Sequence, residues 1–137
     1  IRQAVLTLAI ALGLAEDAVA GVDVYFDTNG NYAGFDRGSP LARSGGKRLV
    51  LERWMPELPR PVMLVGDGAT DLEARPPADL FVAFAGVVER QTVIEAADEV
   101  VRTPSLAPIL VLALGGVAPR AASAREVFEL GRSLMHT

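Results

Sequence analysis

Residues Val62 to Asp71 read V-M-L-V-G-D-G-A-T-D, and no other run narrows the fold so far. Four apolar residues make a buried strand, Gly66 and Gly68 let the backbone turn sharply, and Asp67 and Asp71 are left at the strand's C-terminal end. Open α/β sheets place their ligand chemistry beyond that end. Two carboxylates four residues apart on a strand-to-helix turn can face one point, and hard oxygen ligands suit Mg²⁺. Gly-Asp-Gly is also ordinary turn chemistry, and Thr70-Asp71 can simply cap the next helix. A turn needs only one of these acids and no apolar run before it, which makes the segment a candidate metal site.

The rest of the chain alternates between strand and helix signals. Arg2 to Leu14 holds strong helix formers without proline and stops at Gly13. Val22 to Phe26 and Tyr32 to Phe35 flank Asn29-Gly30, which reads as a two-residue hairpin turn. Arg37 to Gly46 is loop, and Lys47 to Trp54 resumes a helical pattern that ends near Pro56. Then follow a strand over Pro61 to Val65, a short helix over Thr70 to Ala74, a strand over Leu80 to Phe84, a helix over Glu89 to Ala97 and a short strand over Glu99 to Val101. This order predicts an α/β fold with a parallel sheet, flanking helices and one β-hairpin. Beyond Gly115 the chain reads as a linker and a terminal helix over Ala124 to Met135, so residues 1–114 form the core and 115–137 stand apart. No internal repeat is visible.

Composition excludes several function classes. At 137 residues the chain has the length of one ordinary domain. A formal charge of −4, with Lys and Arg scattered among acids, argues against nucleic acid or anionic lipid as a partner. There is no cysteine, which rules out disulfides, thiolate metal sites and a cysteine nucleophile. The single histidine, His136, lies beside the C-terminus, a poor foundation for a Ser-His-Asp centre. Ala4 to Leu14 is apolar and precedes Ala18-Val19-Ala20, a pattern that a secretion signal shares. Glu16 and Asp17 sit against the supposed cleavage site and only Arg2 supplies positive charge. The stretch is shorter than the roughly 20 apolar residues of a membrane span. It reads as a well-buried helix, with no membrane partner and a cytoplasmic setting.

Three further residues invite chemistry. Lys47 follows Ser44-Gly45-Gly46, yet Leu41 stands where a nucleotide-binding phosphate loop needs its first glycine, and Arg48 where it needs Ser or Thr. The lysine gains interest only where it meets the edge that carries Asp67 and offsets negative charge there. Asp27 precedes Thr28-Asn29-Gly30 without a second acid two residues on, so the hairpin turn accounts for it. Arg90 opens a helix shortly after a strand and can grip a carboxylate through two donors.

Taken together, these segments resemble the phosphoserine phosphatases of the haloacid dehalogenase superfamily. The resemblance runs through Asn31-Tyr32-Ala33-Gly34-Phe35-Asp36, Ser44-Gly45-Gly46-Lys47, Val65 to Ala74, Pro76-Pro77-Ala78-Asp79 and Val88-Glu89-Arg90-Gln91, and covers about Arg2 to Leu114. It implies a haloacid dehalogenase-like Rossmannoid sheet and Mg²⁺-dependent hydrolysis of O-phospho-L-serine, the last step of serine biosynthesis. In that chemistry one aspartate attacks the phosphoryl group to give an aspartyl-phosphate, and a second, two residues on, serves as general acid and base. By the same resemblance Asp67 is a Mg²⁺ ligand, and Asp71 orients it or holds the metal's waters. Thr70 contacts phosphate or substrate, Lys47 offsets charge at the nucleophile and phosphate, and Arg90 lies near the substrate pocket.

Departures from the pattern are equally definite. The motif D-x-D-x-T, which carries the nucleophile, has no counterpart in the sequence. The Ser/Thr-Gly-Gly motif and the small cap that encloses phosphoserine are expected ahead of Ile1. The expectation is a fragment with the N-terminal part of the fold missing, about the last half to two thirds of such a phosphatase, and inactive by itself. The alternatives are a phosphatase of the superfamily for another small phosphomonoester and a non-catalytic fragment.

Overall fold

The computed structural model describes residues 1–135; His136, weighed above, and Thr137 lie outside the described residues. Two compact units form, residues 1–58 and residues 59–137.

The first unit comprises α1 (Arg2–Ala11), a hairpin of β1 (Val24–Phe26) and β2 (Tyr32–Phe35), and α2 (Gly46–Trp54). The start of α1 is stitched to the approach to β1. The Arg2 N–H donates to Val22 O at 2.9 Å, and the Gln3 amide donates to Val24 O at 3.2 Å. Gly21 is required there, because a Cβ would lie 2.6 Å from Arg2 Cα. The expected well-buried helix is corrected by this structure. Only Ala9 of α1 is buried, while Leu8, Ile10 and Leu12 are each more than 60% exposed. Apolar residues surround this helix on every side, and one short helical turn at Glu16–Ala18 cannot cover them all.

The hairpin also differs in detail from its expectation. Gly30 has φ of +82°, and among the described residues no non-glycine has positive φ. Asn29 therefore cannot take the left-handed conformation that a two-residue type I′ turn demands. Instead the Gly30 N–H donates to Asp27 O at 3.0 Å, and the Asp27 N–H to Asn31 O at 2.8 Å. A three-residue loop results, a turn followed by a left-handed glycine. Asp27 closes it: its Oδ1 accepts the Asn29 and Asn31 N–H groups at 2.8 and 2.9 Å. The Asn31 backbone and side-chain donors, with that of Asn29, hold the Asp27 carboxyl below the usual aspartate range.

The second unit comprises β3 (Met63–Gly66), α3 (Ala69–Glu73), β4 (Leu80–Phe84), α4 (Gln91–Ala96), β5 (Glu99–Val101), α5 (Ala107–Ala113) and α6 (Ala122–Leu134). Its three strands are parallel in the order β3-β4-β5, with Val65 beside Val82 and Gly66 beside Ala83. The C-terminal ends of β3 and β4 thus share one sheet edge. Phe81 and Ala83 on β4 pack with Val93 of α4, and Leu64, Leu72, Ala97 and Val100 surround them. Val82 points to the opposite face and is just as buried, so the central strand is covered on both sides, as parallel sheets are. The expected terminal helix forms as α6 and lies on α5. Phe128 is fully buried, and a Cβ at Gly131 would lie 2.4 Å from Ala107 O. Among the described residues no helix is long and apolar enough to cross a membrane.

Two aspartates pin the register. Asp79, just before β4, accepts the Val62 N–H on Oδ2 at 2.6 Å and pairs with Arg60. Asp98, just before β5, accepts the Phe81 N–H on Oδ2 at 2.8 Å and the Arg75 guanidinium on Oδ1 at 2.5 Å. Each acid ties the start of its own strand to the start of the preceding one.

The Asp79 carboxyl sits below the usual range, chiefly through the Val62 N–H and further through Arg60. A carboxylate with a depressed folded pKa stabilises fully above its unfolded pKa and loses that contribution as the pH falls through the folded value. Asp79→Asn is expected to lower the urea midpoint at neutral pH and to flatten its decline between about pH 5 and pH 2. Mutant and unmodified curves that run parallel through this range would remove Asp79 from the register lock.

Candidate functional site

The turn from β3 into α3 is built around a close approach. A Cβ at Gly66 would lie 2.2 Å from Asp71 Cβ and 2.6 Å from Asp71 Oδ2, so only glycine lets the strand end pass beside this side chain. Asp71 is buried, with 8% exposure. Its Oδ2 accepts the Asp67 N–H at 3.2 Å and the Gly68 N–H at 3.0 Å, which satisfies the donors of the N-cap and of the residue before it, as the acid of a capping box does. Of the two roles weighed for Asp71, the cap is the one this geometry shows.

Asp67 is held differently. Its backbone is fixed by Asp71, whereas its side chain reaches out, 54% exposed, and meets Arg90. Arg90 NH1 donates to Asp67 Oδ2 at 2.5 Å and to Asp67 O at 2.9 Å. Arg90 is the residue before α4, at the end of the loop that leaves β4. That loop depends on Gly86, where a Cβ would lie 2.0 Å from Thr103 O. Gly86 was missed from sequence, although a glycine just beyond a buried strand repeats the signal given by Gly66. Thr70 lies in the first turn of α3, exposed at the same sheet edge.

Four of the five expected site residues, Asp67, Thr70, Asp71 and Arg90, thus come together at the C-terminal edge of the second unit. Lys47 belongs to the first unit, in the first turn of α2. The preceding Gly46 is buried where a Cβ would lie 1.9 Å from Pro40 O, so this glycine serves the packing of the helix start.

The donor set fits Mg²⁺ in part. Carboxylate oxygens are the ligand class this ion takes, and it commonly uses one or two of them, with water and substrate phosphate completing the shell. Asp71 spends Oδ2 on two backbone N–H groups, and Asp67 Oδ2 faces a guanidinium. Among the described residues no group of three His, Cys, Asp or Glu side chains could hold a metal. What the turn presents is two carboxylates, one of them buried in its own backbone bonds and one exposed.

The two acids should separate in stability. Asp71→Ala is expected to cost about 1–2 kcal/mol by stranding two N–H groups, and Asp71→Asn less, because the amide oxygen still accepts. Asp67→Asn should stay within about 0.5 kcal/mol, as its ion pair is exposed. Urea unfolding decides it; an Asp71→Ala variant as stable as the unmodified chain would refute the cap.

No family model matches the sequence. Phosphoserine phosphatase of Bos taurus is 43% identical over 93 residues, 67% of this chain and 41% of that protein. The Mus musculus phosphoserine phosphatase is 44% identical over 94 residues, again 67% of this chain and 41% of that protein. The chloroplastic phosphoserine phosphatase of Arabidopsis thaliana is 39% identical over 100 residues, 71% of this chain and 34% of its own length. The chain thus spans at most 41% of the length of these curated relatives. Among solved structures, a phosphoserine phosphohydrolase-like protein from Francisella tularensis matches with a TM-score of 0.62 at 22% identity, covering 80% of this chain and 48% of that one. The chain is thus similar along two thirds of its length to part of several phosphoserine phosphatases, and it shares its fold with the phosphoserine phosphohydrolase-like protein.

Proposed function

We propose that this chain is the metal- and phosphate-holding part of an L-phosphoserine phosphatase, a hydrolase of phosphomonoesters. One observation carries the reading: the Gly-Asp-Gly-Ala-Thr-Asp turn stands at the C-terminal edge of a parallel sheet, with Asp67 exposed and Asp71 buried beneath it. In this reading Asp67 is a Mg²⁺ ligand, and Asp71 keeps the turn closed and orients Asp67 or the waters around the ion. Thr70 contacts a phosphoryl oxygen, Lys47 offsets negative charge at the nucleophile and phosphate, and Arg90 binds at the substrate pocket. The ion, when bound, neutralises charge on phosphoryl oxygens. The cytoplasmic setting belongs to the same proposal, resting on the acids at Glu16 and Asp17 beside a would-be cleavage site.

None of these residues is an in-line nucleophile, and the sequence holds no D-x-D-x-T. The 137-residue chain alone is therefore expected to release phosphate from phosphoserine, with Mg²⁺, no faster than background. Joined to the nucleophile-bearing part of a curated phosphoserine phosphatase, it should hydrolyse phosphoserine in preference to other small phosphomonoesters. Asp67→Asn should lower that rate by at least about 100-fold. A chimera that folds but is indifferent to Asp67→Asn would refute the assignment, and one that favours a different phosphomonoester would move the substrate.

A further inference from the structure

Asp67 already has a cation. The Arg90 guanidinium lies on Asp67 Oδ2 at 2.5 Å and reaches the backbone oxygen of the same residue at 2.9 Å, across 23 residues of sequence. A divalent ion that uses this carboxylate must either take the oxygen Arg90 holds or sit close to a full positive charge. We propose that Arg90 is the resident counter-ion of Asp67, and that a divalent metal loads the turn by exchanging with it. The inference rests on the reading of Asp67 as a metal ligand.

Exchange is physically accessible because both side chains are substantially exposed, 44% for Arg90 and 54% for Asp67. An exposed ion pair shifts an equilibrium only about two- to fivefold, enough to hold the carboxylate in place and too little to shut out a metal. Displacement leaves a planar guanidinium with five N–H donors beside the loaded site, a group that grips phosphate or carboxylate oxygens through two bonds at once. Arg90 thus acts as a positioning residue that holds Asp67 before loading and becomes an oxyanion donor after it. The metal's arrival sets the order of these two roles.

The test measures Mn²⁺ binding to the full chain by electron paramagnetic resonance of the free ion, at low and constant ionic strength. Arg90→Gln should bind Mn²⁺ about two- to fivefold more tightly than the unmodified chain. Arg125→Gln, which removes one positive charge from α6, should leave affinity unchanged. Equal tightening by both variants would mean a diffuse charge effect and overturn the proposal. So would Arg90→Gln binding no tighter than the unmodified chain, undetectable binding by both included. Asp67→Asn separates the layers. If it weakens Mn²⁺ binding while Arg90→Gln fails to tighten it, the metal reading stands and the counter-ion falls. If it leaves Mn²⁺ binding unchanged, both fall. In the unmodified chain the Arg90 Nε–H NMR signal should also shift over the Mg²⁺ range that titrates the Asp67 turn; a signal that stays still as the turn titrates overturns the exchange without recourse to any variant.

Discussion

The second unit depends on two carboxylates that take no part in the candidate site. Asp79 and Asp98 each precede a strand and bind the backbone N–H at the start of the neighbouring one. Bonds from a charged acceptor to N–H are stronger than the neutral ladder bonds of the strands themselves, and a parallel pair lacks a tight turn to set its register. Fixing the starts fixes the ends. Gly66 comes level with Ala83, and the two loops beyond that edge deliver Asp67 and Arg90 to each other.

Seen this way, the acids divide by sheet end. Asp79 and Asp98, at the N-terminal ends, are consumed by backbone donors, with Arg60 and Arg75 sharing their charge. At the C-terminal end Asp71 is consumed by the turn, and Asp67 projects a carboxylate whose partner is an exposed side chain. The same element that closes the backbone also leaves one acid reaching outward. Glycine makes the difference at both loops, since Gly66 and Gly86 each stand where any side chain would collide with its neighbour.

Much of this was legible in the sequence because the signals are local. An apolar run followed by Gly-Asp-Gly and a second acid defines strand, turn and helix within ten residues, and β3, α3 and β4 fall where the pattern puts them. The hairpin was legible as a hairpin, but its turn class depended on Asp27 reaching forward to Asn31, a side-chain bond that the Asn-Gly pair does not announce. Helix α5 went unread: Ala107–Ala113 is apolar throughout and has no polar face to set a period, although Pro108 in its first turn was a usable start signal. The exposure of α1 was invisible for the opposite reason, since an apolar helix carries no record of how little surrounds it. Arg90 could be picked out as a carboxylate-binding group, yet that its carboxylate is Asp67 depends on strand order, which no local spacing encodes. The part played by Asp98 was hidden in the same way.

The unequal burial of Asp67 and Asp71 bears on how such a turn would change over evolutionary time. Asp71 closes the backbone, so a descendant that had given up all chemistry would still be held to an acceptor at that position by the demands of folding. Asp67 contributes little beyond an exposed ion pair, and drift could remove it at almost no structural cost. Among diverged copies of this turn, Asp71 would report only that the loop is intact. Asp67 would mark the copies in which the site is still under selection for use.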